Sequence, residues 1–74
     1  MTPEQDFEHV QSVLLEIAAE LGQPMPVARI KAYWNSLKEM DRMDFDYCTK
    51  VVRRNSHFMP TSGDWWKASR DKWR

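Results

Sequence analysis

Cys48 is the only cysteine, and His9 and His57 are the only histidines. A reactive thiolate wants a histidine or a cation beside it, and a structural zinc ion wants four Cys or His ligands. No His and Cys pair stands at a spacing that suggests a dyad, and the ligand count is too low for zinc. Asp41, Asp44 and Asp46 resemble paired carboxylates, but acids gathered at a helix start are explained by capping and by the helix dipole. Gly22 and Gly63 are the only glycines, so there is no glycine-rich phosphate loop. The sequence therefore predicts no catalytic residue, no metal site and no cofactor.

Chemistry of recognition is better represented. Near the C-terminus Trp65, Trp66 and Trp73 alternate with Lys67, Arg70, Lys72 and Arg74. Tryptophan and arginine are the residues that dominate protein–protein hot spots. The expected working surface is Trp65, Trp66, Arg70 and Trp73, joined by Arg53 and Arg54, docked on a protein partner. The same segment also suits a single-stranded nucleic acid, with bases stacked on indoles and phosphates met by Lys67, Arg70, Lys72 and Arg74. Self-association through exposed indoles is a third expectation. Met25, Met40, Met43 and Met59 fall in or beside connectors, where a core does not oblige them to be.

The frame holding these residues is small. Seventy-four residues make one domain, 1–74, and folding at this size buries only roughly 60% of the unfolded chain's surface. With one thiol there is no disulfide to staple it, so four tryptophans, three phenylalanines and two tyrosines must build the core. No apolar run is long enough to span a bilayer, and the acidic N-terminus is unlike a signal peptide. The expectation is a soluble, cytoplasmic chain with no membrane partner. Formal charge sums to zero, but unevenly. Glu4, Asp6, Glu8, Glu16 and Glu20 precede the first basic residue, and all eleven lysines and arginines follow. That asymmetry predicts one acidic and one basic face.

Apolar periodicity gives an all-α fold: a bundle of three core helices plus a short C-terminal fourth, spanning approximately 3–21, 26–39, 44–55 and 62–73. In the first, Phe7, Val10, Leu14, Ile17 and Leu21 recur at spacings of three and four, with Val13 and Ala18 widening the stripe. Thr2, Pro3 and Gln5 suit a capping box, and Gly22 a left-handed stop. Val27, Ile30, Trp34 and Leu37 form the face of the second helix, with Tyr33 beside them and Trp34 at the centre of the core. Asp41 or Asp44 can cap the third helix, Asp44 being preferred because Phe45 begins its apolar side of Phe45, Cys48, Val51, Val52 and Asn55. Phe58 and Met59 are expected to plug the bottom of the bundle before Pro60, and Thr61 with Asp64 caps the last helix. There Trp66, Ser69, Arg70 and Trp73 share a face, with Trp65 and Ala68 to one side.

The second and third helices form a possible helix-turn-helix, with Lys50, Arg53 and Arg54 on its second member. The reading end of such a helix is its N-terminus, and here Asp44 and Asp46 stand there, which disfavours DNA.

One resemblance runs from Val27 to Trp66. Its parts are the Tyr33-Trp34-x-x-Leu37 helix, a short turn, a helix bearing paired basic residues, and His57-Phe58-Met59-Pro60-Thr61 opening a last helix. This order resembles the N-terminal domain of phage replicative-helicase loader/inhibitor proteins, whose most specific shared element is Phe58-x-Pro60-Thr61. Ser62 and Gly63 depart from it, standing where an apolar residue is usual, and Trp65-Trp66 has no counterpart. The resemblance implies an all-helical phage or prophage domain that binds a DNA-replication protein such as the replicative helicase.

Overall fold

A computed structural model describes residues 1–55 and 57–72. Four α-helices make up the fold: α1 (Pro3–Leu21), α2 (Val27–Leu37), α3 (Arg42–Asn55) and α4 (Ser62–Lys72), with no strand among the described residues. Side-chain contacts give the arrangement. α2 runs against α1, α3 runs alongside α1 in the same direction, and α4 closes the bundle against α2 and α3.

Each helix begins and ends for a local reason. Pro3 starts α1, but Thr2 makes no side-chain cap. Instead the Asp6 carboxylate accepts the Thr2 backbone N–H at 2.9 Å, which satisfies that donor in place of the expected box. Gly22 stops α1 with φ of 67°, a conformation that costs a side-chain-bearing residue about 1–2 kcal/mol. The Gln23 N–H then closes on the Ala18 carbonyl at 2.8 Å. α3 starts at Arg42, so Asp44 lies inside its first turn and does not cap it; the Asp41 carbonyl takes the first helical bond, from the Phe45 N–H at 2.8 Å. α4 starts as expected, with the Asp64 carboxylate accepting the Thr61 N–H at 2.9 Å. The α-ammonium of Met1 donates to the carbonyls of Lys38 (2.8 Å) and Met40 (3.1 Å), at the negative end of α2.

The core is built from Val10, Leu14 and Ile17 of α1, Ile30, Tyr33, Trp34 and Leu37 of α2, Met40 of the following turn, Phe45, Cys48 and Val52 of α3, and Trp65 and Ala68 of α4. Trp34 is buried in it, with the Phe7 ring edge-on at 5.4 Å. The largest side chain with no exposed surface is Trp65. Its ring stacks parallel to Phe45 at 6.1 Å and meets Tyr33 edge-on at 6.0 Å. Its indole N–H donates to the Thr49 hydroxyl at 3.0 Å, and that hydroxyl donates in turn to the Phe45 carbonyl at 2.7 Å. Val27 is 63% exposed rather than part of the apolar face of α2. Asn55 is also exposed, bonding the Val51 carbonyl of its own helix at 3.1 Å.

Thr49→Val keeps the shape of the side chain but leaves the buried indole N–H without an acceptor. A loss of about 1–3 kcal/mol is expected, and chemical denaturation measures it. Trp65→Ala is expected to cost about 3–5 kcal/mol, a large share of what so small a domain has, and thermal melts of the two variants should rank accordingly.

Candidate docking surface

The exposed C-terminal tryptophan surface does not form as the sequence suggested. Trp65 is entirely buried, so it belongs to the core and not to a docking face. The line of α4 that turns inward is Trp65, Ala68 and Ser69, because residues three and four apart share a face. Trp66 is half-buried, and its indole N–H is held by the Ser36 carbonyl at 3.1 Å, which ties α4 to α2. Trp73 and Arg74 lie outside the described residues. Of the remaining predicted contacts, Arg54, Lys67 and Arg70 are exposed, with no ion pair among the described residues.

Arg53 and Lys72 are engaged elsewhere. Arg53 bridges to Glu16 at 3.6 Å and hydrogen-bonds Glu20. The Lys72 ammonium meets Asp44 at 2.7 Å and sits 5.0 Å over the Tyr47 ring. The hydrogen bond to Asp44 raises its pKa further above the usual lysine value, so it remains a cation.

These pairs also revise the expected two-faced charge distribution. Along α1 and α3 three contacts recur in step: Asp6 with Arg42 at 3.2 Å, His9 with Asp46 at 2.6 Å, and Glu16 and Glu20 with Arg53. Much of the acidic surplus of the N-terminal helix is therefore matched by basic residues inside the molecule. His9 lies half-buried in this seam, edge-on to Phe45 at 5.8 Å.

Cys48 is fully buried, and burial, helped by the nearby Asp44 charge, pushes its thiol above the usual value. No group of three or more His, Cys, Asp and Glu side chains that could hold a metal is found among the described residues. Two shallow grooves flank α4. One, of about 260 Å³, lies against α3 between Val51, Asn55, Lys67 and Asp71. The other, of about 250 Å³, lies against α2 between Arg29, Tyr33, Thr61 and Ser62. Both fall below the roughly 300–1,000 Å³ of a typical small-molecule site.

What the sequence reading missed is the apolar surface left outside. Phe58 is 80% exposed, so it does not plug the bundle as expected. Its neighbours are held in place: Met59 packs on the core, Pro60 is buried, and the Pro60 carbonyl accepts a hydrogen bond from the buried Tyr33 hydroxyl. The chain bends at His57–Phe58, and past that bend Met59 turns in while Phe58 stays outside. Val27, at the start of α2, is also exposed, at 63%.

No known family matches the chain, and no curated protein or solved structure is detectably similar to it. Among the described residues no helix is long and apolar enough to cross a membrane.

The carboxyl of Asp6 gives a clear pH signature. Its acceptance of the Thr2 N–H, then its bond to Arg42, holds its pKa below the ordinary 3.8. A carboxyl lowered in the fold stabilises it fully above the unfolded value and loses that contribution as acid titrates through the folded value. Asp6→Asn is thus expected to lower stability at neutral pH, with the gap to the parent closing below pH 3.8. Urea titrations at pH 7 and pH 3 give the comparison.

Proposed function

We propose that this domain is a non-enzymatic docking module that uses Phe58 as the anchor of a protein–protein contact. The supporting observation is the exposure of this ring beside tightly held neighbours. Burying a phenylalanine is worth about 1.5–3 kcal/mol, and this chain forgoes that gain while fixing Met59, Pro60 and Thr61 around it. An aromatic displayed on a braced segment loses little freedom on binding, which makes it a good interface anchor. Arg54, near the end of α3, supplies charge.

Phe58 is also the first residue of the Phe-x-Pro-Thr element on which the resemblance to helicase loader/inhibitor domains rests. The partner we infer is accordingly a DNA-replication protein, the replicative helicase first, met in the cytoplasm of a phage host. Nucleic-acid binding through Lys67 and Arg70 is less well supported. Trp65 is buried and Trp66 is tied to Ser36, so neither offers a free stacking face.

Phe58→Ala is expected to change stability by no more than about 0.5 kcal/mol, because its ring touches solvent, and to reduce binding of purified replicative helicase at least severalfold. Surface plasmon resonance with both proteins tests this, with Arg70→Ala alongside. Equal binding by the parent and Phe58→Ala would move the anchor elsewhere, and no helicase binding by the parent would remove the replication assignment. Salt-sensitive capture of a single-stranded oligonucleotide, weakened by Lys67→Ala and Arg70→Ala, would favour the nucleic-acid reading instead.

A further inference from the structure

Two helices of the bundle carry an outward line of largely exposed residues; one of them, Tyr47, meets a neighbour, the Lys72 ammonium over one side of its ring. On α3, Met43, Tyr47, Lys50 and Arg54 are spaced by four, three and four, which keeps them on one face. Met43 is 78% exposed and Tyr47 43%, and Lys50 and Arg54 are exposed. On α1, Glu4, Glu8, Gln11 and Leu15 repeat the same spacing. Both glutamates are exposed, Gln11 is half-exposed and Leu15 is 44% exposed. Among the described residues none of Glu4, Glu8, Lys50 and Arg54 has an ion pair.

Laid antiparallel, the two lines match at every position. Glu4 falls opposite Arg54, Glu8 opposite Lys50, Gln11 opposite Tyr47 and Leu15 opposite Met43. Acid meets base twice, and apolar meets apolar at the far end. This match cannot be made within one molecule. There α1 and α3 run in the same direction and meet through Asp6, His9, Glu16 and Glu20 on one side and Arg42, Asp46 and Arg53 on the other.

We propose that α1 of one copy packs antiparallel on the outer face of α3 of a second copy, so that the domain self-associates head to tail. The two surfaces differ, so the contact is heterologous and can extend into rings or filaments. It is small and rimmed by exposed charge, so it is weak and loosened by salt. An unrelated polyanion is a poorer occupant of the α3 line. Its apolar end lies beside Asp44 and Asp46, and the register fits this chain's own α1. The surface is separate from Phe58.

The test reverses charge on each line of the full chain. Glu4→Lys with Glu8→Lys places bases against bases, and Lys50→Glu with Arg54→Glu places acids against acids. Sedimentation velocity at low salt, from micromolar to millimolar protein, should show the parent rising in mass with concentration. Each reversed protein alone should associate more weakly by about tenfold or more, with its helical circular dichroism unchanged. An equimolar mixture of the two should recover association, since each then offers the complement of the other, and Phe58→Ala should associate like the parent. A parent that stays monomeric throughout, reversed proteins that associate as strongly as the parent, or a mixture that fails to recover would each overturn the proposal. Loss of association in Phe58→Ala would overturn it too, by placing the contact at the other surface.

Discussion

The indole of Trp65 sets the terms for the rest of the molecule. A buried N–H must find an acceptor or cost most of a hydrogen bond, and its acceptor is the Thr49 hydroxyl, itself anchored on the Phe45 carbonyl. That requirement fixes how α4 is rotated against α3. The parallel stack on Phe45 and the edge contact with Tyr33 then bring α2 into the same cluster. The Tyr33 hydroxyl in turn holds the Pro60 carbonyl, so the connector into α4 is braced by the helix it faces. In a chain this short, with no disulfide, one large aromatic does the work of a larger core.

Electrostatics follows from that packing. With α3 rotated so that Phe45, Cys48 and Val52 face inward, Arg42, Asp46 and Arg53 fall toward α1 and meet its Asp6, His9, Glu16 and Glu20. Exposed pairs of this kind contribute about 0–1 kcal/mol each, so the seam is better understood as a register device than as a source of stability. Its larger effect is subtractive. By pairing Asp6, Glu16 and Glu20 internally, it leaves Glu4 and Glu8 as the acids of α1 without an ion pair among the described residues.

Function is then a matter of what the fold leaves outside. Trp34, Trp65 and Trp66 hold the domain together, while Phe58 on its braced connector and the outer line of α3 are what the domain presents. Neither groove described beside α4 reaches the volume of a typical small-molecule site.

The helices were legible because an amphipathic pattern needs only local spacing. The stripe of α1, the left-handed stop at Gly22 and the Thr61–Asp64 cap are each set by residues within one turn of one another. The all-α bundle and the burial of Cys48 follow from the same pattern. What local spacing does not contain is rotation. α4 has aromatic residues on two faces, and only the position of Thr49 and Phe45, sixteen and twenty residues earlier in the chain, decides that Trp65 turns in. The same holds for the connector. Met59 packs on the core, and the bend at His57–Phe58 leaves Phe58 in solvent. By itself the sequence determined which segments are helical and where they stop, since those choices rest on neighbours in the chain. Tertiary structure alone decided which aromatics became core and which became surface, because that choice depends on partners the chain supplies only when folded.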